Sequence, residues 1–341
     1  MDTQIKPSFT PISIIGPAII DVVVGPVNPT VFTSGSEPID FSKLSFGGDA
    51  LNEAVALSKL GENVELLSII GNDNAGKNIL SFLNEMNVKT DKITISPLYE
   101  TGMNIVLVDS KGERYFLTQP NSSLRKLSEF EILPYVDSLG DIVSFASIFI
   151  SSSIDIKSMK RIFSAIKRKK NRILITDMTR AKNGESLNDL RCLFPFIDYF
   201  FSNEKELFMI TKEKDYIKGL EQLIQNGISC AILKLGSKGS IIRTIDNTIF
   251  IPPYPVSSVV DTTGAGDCYV AGFINAISQK LPLHECGLLA SAIASCSIEA
   301  PGATDGLNNK KICIERFAAL KMQYSNRLIP EEEEKNGKAR E

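Results

Sequence analysis

Residues 261–277 read Asp261-Thr-Thr-Gly-Ala-Gly-Asp267 followed by CYVAGFINAI. Gly264, Ala265 and Gly266 are small enough for backbone N–H groups to approach an anion closely. Behind them Tyr269, Ala271, Phe273, Ala276 and Ile277 are apolar at helical spacing, which predicts a helix over Ala265–Ser278. Its positive end would point at the same place. Asp267 puts a carboxylate beside that site. A helix cap after a glycine turn accounts for it; so does a base that takes a proton from a hydroxyl attacking a phosphate. The complete seven-residue string favours the base.

Outward from this string, short apolar runs alternate with helical patterns. Strands are expected at Ile12–Ile15, Val64–Ile70, Ile142–Ile150, Arg172–Asp177, Ile197–Phe201 and Ser229–Leu235. Helices are expected at Ala50–Leu60, Gly76–Met86, Asp155–Lys169, Tyr216–Asn226 and Leu283–Glu299. Strand then helix, repeated, predicts an α/β domain with a mostly parallel sheet, whose ligands gather beyond the carboxyl ends of the strands. Two regions break the rhythm. Ile19–Phe46 is strand-like but interrupted by Pro26, Pro29 and Pro38, and Met103–Thr118 reads as a hairpin turned at Asp109–Gly112. They predict a small β-sheet projecting from the body as a lid.

The chain has 341 residues, enough for one large domain or two modest ones. It is 43% hydrophobic and 23% charged, which excludes global disorder. Lys plus Arg is 37 and Asp plus Glu is 40, so the net charge of −3 does not suit a polyanion binder. The basic cluster Lys167–Lys170 with Arg172 reads as cations complementing a helix end, and no nucleic-acid partner is expected. The apolar run Ile142–Ile150 is about half of a membrane span, and no secretory signal is evident, so neither a membrane nor export is expected. Six cysteines without a C-x-x-C spacing fit free thiols in a reducing cytoplasm. With His284 as the single histidine, chemistry must rest on carboxylates, amides, hydroxyls and backbone groups.

A second signal is Phe46-Gly-Gly-Asp-Ala-Leu-Asn52. Gly47 and Gly48 allow backbone contact with a polyhydroxylated ligand, while Asp49 and Asn52 offer acceptors and a donor. A glycine turn capped by Asp49 fits equally. Downstream, Gly71-Asn-Asp-Asn-Ala-Gly76-Lys77 imitates a phosphate-binding loop, but Asn78 stands where Ser or Thr must hold Mg²⁺.

Together the two glycine segments resemble both signature motifs of the ribokinase (PfkB) family of carbohydrate and nucleoside kinases, and the likeness runs from Ile12 to Gly306. GGDALN with ETGMNIVLVDSKGERYF is similar to a less-characterised sugar-kinase branch. The resemblance implies that Asp267 is the general base and that the amides of Gly264, Ala265 and Gly266 form an anion hole. It implies a sugar pocket of Asp21, Gly47, Gly48, Asp49, Asn52 and Asn104. Arg180 of D-M-T-R would reach the sugar or an acidic group on it; a surface arginine fits as well. For ATP it implies Asn203, Lys234, Gly236, Gly239, Thr262, Gly264, Gly266 and Ser291. Glu206 would organise Mg²⁺ through water, although Asn203 and Glu206 also spell a capping box. The resemblance allows K⁺ at Asp261, near Gly302.

The expectation is therefore a ribokinase-like three-layer α/β/α fold with a mostly parallel central sheet. Residues 1–328 would form the kinase domain, with a lid from about 17–46 and 98–122, and 329–341 a charged, mobile tail. The expected activity is ATP-dependent phosphorylation of a hydroxyl, taken as primary, on a monosaccharide or sugar acid. The alternatives are a nucleoside kinase of the same family and a non-catalytic sugar- or nucleotide-binding regulator. A homodimer through exposed lid strands is also expected to be feasible.

Overall fold

The strand Ile12–Ile15 (β1) is buried along its whole length, as a strand covered on both faces must be. It pairs in parallel with β4 (Val64–Gly71) on one side and β8 (Ile142–Ile148) on the other. β5 (Lys89–Ser96) extends the sheet beyond β4. Beyond β8 come β9 (Ile173–Met178), β10 (Tyr199–Asn203) and β11 (Cys230–Lys234), all parallel. The antiparallel strands β12 (Ser240–Thr244) and β13 (Thr248–Ile251) complete nine. In this computed structural model residues 10–180 and 184–337 are described, with side chains as far as residue 325.

Two apolar clusters flank the sheet. One gathers the helices Asp49–Leu60, Ala265–Ser278 and Leu283–Ser297. The other gathers Ile156–Ile166, Glu204–Thr211 and Tyr216–Gln225. This is the three-layer α/β/α architecture expected. The chain steps outward from β1 to β4 and β5, then returns to β8, so strand order reverses beside β1. Ligand crevices form beyond the strand ends at such a reversal.

The second sheet has the order β3-β2-β6-β7, from β2 (Ile19–Gly25), β3 (Phe41–Gly47), β6 (Met103–Val108) and β7 (Arg114–Thr118). β2 pairs antiparallel with β3 and parallel with β6, and β6 pairs antiparallel with β7. Asp21 lies opposite both Ser45 and Asn104, and Val108 opposite Arg114. By strand alternation Asp21, Asn104 and Arg114 share one face, while Val22, Leu44, Ile105 and Leu117 share the other.

Several elements differ from expectation. A short helix, Val31–Ser34, joins β2 to β3. β8 ends at Ile148 because Ser147 and Phe149 take positive φ (58° and 79°) and its register with β9 breaks after Phe145. β5 and the β12–β13 hairpin had no counterpart among the expected strands. The helix Lys310–Gly337 runs through most of the segment expected as a tail, consistent with the helix preference of Glu and Lys; residues 338–341 lie outside the described residues. No helix among the described residues is long and apolar enough to cross a membrane, and all six cysteines are free thiols.

The basic cluster has local partners. Lys167 donates to Asp198 and to the Arg172 carbonyl, both at 2.7 Å, and Lys169 bonds Asp141 at 2.6 Å. Arg172 is 2% exposed, and its guanidinium donates to the carbonyls of Gly140, Val136, Ile166 and Leu139 at 2.7–3.2 Å. It closes the end of the Ile156–Ile166 helix and the end of the 3-10 helix Leu133–Ser138. Substituting Arg172→Met leaves those acceptors without a donor, at about 1–3 kcal/mol for each one that water cannot reach. The expected loss is therefore about 3 kcal/mol or more, read as a fall in the urea midpoint. A midpoint within experimental error of the parent contradicts this role.

Candidate active site

Gly264 takes φ +71° ahead of the Ala265–Ser278 helix, and a Cβ there would lie 2.5 Å from the Ala303 Cβ. Only glycine fits. The first-turn N–H groups of a helix have no acceptor one turn back; that of Ala265 reaches the Thr262 carbonyl at 3.3 Å. Asp267 stands in this turn, half-buried, and its Oδ2 accepts a 2.7 Å hydrogen bond from Asn52 Nδ2. That bond ties the two glycine segments together across 215 residues. Asn52 is 5% exposed, and its Oδ1 is buried without a partner. Asp49 opens the Asp49–Leu60 helix, but Gly48 occupies the cap position, so Asp49 is not the side-chain cap. Gly48 has φ +97°, and a Cβ there would fall 2.5 Å from the Pro17 carbonyl oxygen.

Acidic groups crowd this point. Burial pushes the Asp267 carboxyl up to about 6, against the Asn52 hydrogen bond and Lys234. Burial, with the charges of Asp267 and Asp177 adding, raises Asp49 well above its ordinary 3.8. Glu53, fully buried, accepts from the Ser144 hydroxyl at 2.6 Å, and burial raises it well above 4.5. Burial takes Glu206 to about 7, with Lys234 opposing and Asp177 adding. The counter-charge is Lys234 at the end of β11, which forms an ion pair with Asp177 at the end of β9. Burial works against the ammonium, but Asp177 and Glu206 hold it above 10.5. Its Nζ lies 3.5 Å from where a Cβ of Gly266 would be, so it points at the glycine turn.

On the small sheet, Asp21 Oδ1 accepts from Asn104 Nδ2 at 2.9 Å, and the Asn104 Oδ1 is buried without a partner. Burial raises Asp21 despite that bond. A Cβ at Gly47 would collide with the Asp21 carboxylate, so glycine lets the two strands bring it in. Asn203 and Glu206 do form the capping box, each accepting from the other's backbone N–H at 3.0 and 2.8 Å. Gly236 and Gly239 take positive φ in the turn after β11, where Lys238 lies 3.5 Å from Glu204. Thr262 is exposed ahead of the glycine turn. Ser291 is buried and donates to the Pro252 carbonyl at 2.9 Å.

Two expectations meet a different arrangement. Arg180 is exposed at the end of β9, beside residues 181–183 that lie outside the described ones; among the described residues no contact joins it to the acidic cluster. Asp261, the candidate K⁺ ligand, instead accepts N–H bonds from Thr263 (2.9 Å), Gly302 (3.0 Å) and Arg114 (2.9 Å). The imitation phosphate loop is a structural knot. Asp73 caps the Asn74–Glu85 helix through Gly76 N–H and also accepts from the Thr101 N–H and hydroxyl at 2.8 and 2.7 Å. Sequence reasoning passed over Asp177, Glu53 and Arg114 as site residues. Asp177 had a signal, as the polar end of an apolar strand; the other two had none.

The profile of the pfkB family carbohydrate kinases matches residues 11–310. An uncharacterized sugar kinase of Archaeoglobus fulgidus is 30% identical over 260 residues, covering 74% of this chain and 98% of that protein. The 2-dehydro-3-deoxygluconokinase of Haemophilus influenzae is 28% identical, covering 76% and 88%. Among solved structures, Arabidopsis thaliana ribokinase complexed with ribose and ATP superposes with a TM-score of 0.76 at 23% identity, covering 90% and 98%.

The raised carboxyls carry a sign. Asp267 and Glu206 ionise near 3.8 and 4.5 when unfolded but near 6 and 7 when folded, so the folded protein binds more protons between about pH 4 and 7. Their contribution favours the folded state at low pH and is lost as pH rises through 6 to 7. The ligand-free urea midpoint should fall across that window, and the double substitution Asp267→Asn with Glu206→Gln should flatten the fall. An unchanged slope in the double variant contradicts these assignments.

Proposed function

The chain belongs to the pfkB family of carbohydrate kinases, phosphotransferases with an alcohol group as acceptor, and from that premise we propose an ATP-dependent kinase acting on a monosaccharide or sugar acid. The observation that carries the reading is the Asn52–Asp267 hydrogen bond, which joins the second glycine segment to a carboxyl titrating near 6 in the first turn of a helix. Asp267 takes the proton from a hydroxyl, expected to be primary, as that oxygen attacks the γ-phosphate. Gly264, Ala265 and Gly266 offer the first-turn amides to the charge that develops on the moving phosphoryl group. Asp21, Asn104, Asp49, Asn52 and the backbone at Gly47 and Gly48 hold the sugar hydroxyls; the unpartnered Asn52 and Asn104 oxygens are acceptors suited to them.

The donor set also suits a metal–nucleotide complex. Asn203 pairs with Lys234 across neighbouring strands and Glu206 adds to its charge environment, while the ammonium faces the glycine turn; in this reading Gly236, Gly239, Thr262 and Ser291 would hold the nucleotide. Glu206 would hold Mg²⁺ through water, and bound Mg²⁺ would neutralise phosphate charge. The small sheet, formed within residues 17–46 and 98–122, acts as a lid that excludes water competing as acceptor. Transfer is direct, without a phosphoenzyme. The reading includes a homodimer through the outer lid face, where Leu44, Ile105 and Leu117 stand exposed side by side.

ADP release across ketoses, aldoses, sugar acids, sugar phosphates and nucleosides tests the reading. Turnover with one sugar class well above background ATP hydrolysis supports it. Turnover only with nucleosides moves the substrate class, and silence with ligand binding retained points to the regulator. With an accepted sugar, Asp267→Asn should lower kcat by about 10²–10⁴-fold with KM values little changed, and kcat/KM of the parent should decline below about pH 6. A variant with near-parent kcat removes Asp267 from the mechanism.

A further inference from the structure

Arg114 opens β7, on the lid face that also carries Asp21 and Asn104, and its guanidinium leaves the lid altogether. Nη2 lies 2.9 Å from Asp261 Oδ1, and Nη1 bonds the Thr263 hydroxyl. The same carboxylate holds the N–H of Thr263 on Oδ1 and the N–H of Gly302 on Oδ2. Burial works against its charge, but these donors and Arg114 hold the Asp261 carboxyl below its ordinary 3.8. We propose that Arg114 is a positioning residue: it holds the loop that presents the first-turn amides, and does so only while the lid is seated. The inference rests on the kinase reading.

The geometry explains why one contact would matter. Thr263 adjoins Gly264, whose φ of +71° and close approach to Ala303 leave the turn little room to shift by itself. Gly302, next to Ala303, hangs from the other oxygen of Asp261. Arg114 therefore grips a carboxylate that braces the glycine turn from both sides. A planar fork spanning a carboxylate and a hydroxyl is a geometry that lysine cannot reproduce. The donor set also fails to fit K⁺ at Asp261. Both carboxylate oxygens already accept N–H bonds, and the positive charge beside them is the guanidinium. The loop needs no monovalent metal when Arg114 is in place.

Two measurements on the full chain test this with Arg114→Gln and Arg114→Lys. The first needs no substrate: amide hydrogen exchange across residues 261–268 of the ligand-free protein, in KCl and in choline chloride. Losing a charged hydrogen-bonding pair should speed exchange there by about 10- to 100-fold in Arg114→Gln. Arg114→Lys should recover part of that protection, and the parent should exchange alike in both salts. Unchanged exchange in Arg114→Gln, or a parent protected only in KCl, overturns the proposal. The second uses the acceptor identified from the panel. Arg114→Gln should lose about 10- to 100-fold in kcat with KM for ATP little moved, and added guanidinium should restore part of it. A parent that requires K⁺, or a variant with parental kcat, overturns the proposal. If no acceptor is turned over at all, the kinase reading fails, and the exchange result alone decides whether Arg114 braces the loop.

Discussion

The ion pair between Lys234 and Asp177 is the interaction on which the rest of the site depends. It joins the ends of β11 and β9 beneath a group of carboxyls that would otherwise repel: Asp49, Glu53, Glu206 and Asp267. Two like charges 4 Å apart repel by about 4 kcal/mol at an effective dielectric of 20. One ammonium cannot cancel four such groups. The imbalance is expressed in their raised proton affinities; Asp49, Glu206 and Asp267 each stand in the first turn of a helix, and Asp267, near 6, is the one that follows the Gly264–Gly266 turn. Removing Lys234 would leave Asp177, 6% exposed, without its counter-charge in the same place.

This crowding is possible because the backbone does the positioning. Parallel strands deliver Asp177, Asn203 and Lys234 at neighbouring carboxyl ends. Glycines then admit what side chains would block: Gly264 lets the turn lie against Ala303, Gly48 lets its helix start against Pro17, and Gly47 makes room for Asp21 from the lid. The first two have positive φ, so alanine would be strained as well as obstructed. Lid and body thus meet through two kinds of contact. Asp21 approaches over a glycine, whereas Arg114 reaches across to Asp261.

Most of the body was legible because its strands are apolar runs and its helices repeat at their own period. β5 escaped notice because Lys89, Asp91 and Lys92 interrupt it, as an edge strand tolerates. β12 and β13 escaped because an antiparallel edge hairpin breaks the alternation of strand and helix. In the site, the glycine segments were legible from local spelling alone. The contacts Asn52–Asp267, Lys234–Asp177 and Arg114–Asp261 span 215, 57 and 147 residues, and no spacing rule encodes them. Local spelling also misled once. Gly71–Lys77 has the letters of a phosphate loop, but the hydrogen bonds of Asp73 to Thr101 close it into a brace at the entry to the lid.

The same electrostatics bears on which substrate suits this pocket. Burial and the nearby charge of Asp267 raise the proton affinity of Asp49, and Asp21 approaches over Gly47; on the proposed reading an acidic substituent held among them would add a further like charge. Sugar hydroxyls instead supply the donors such carboxyls lack, and each bond to a charged acceptor favours binding by about 1.5–3 kcal/mol. On the proposed reading a neutral polyol would suit this group of carboxyls directly. A sugar acid fits only if its carboxylate points away from that group, toward the end of β9, where Arg180 stands exposed. On that reading the acidic cluster would take the polyol end of the ligand, and discrimination between a sugar and a sugar acid would fall to the exposed strand end.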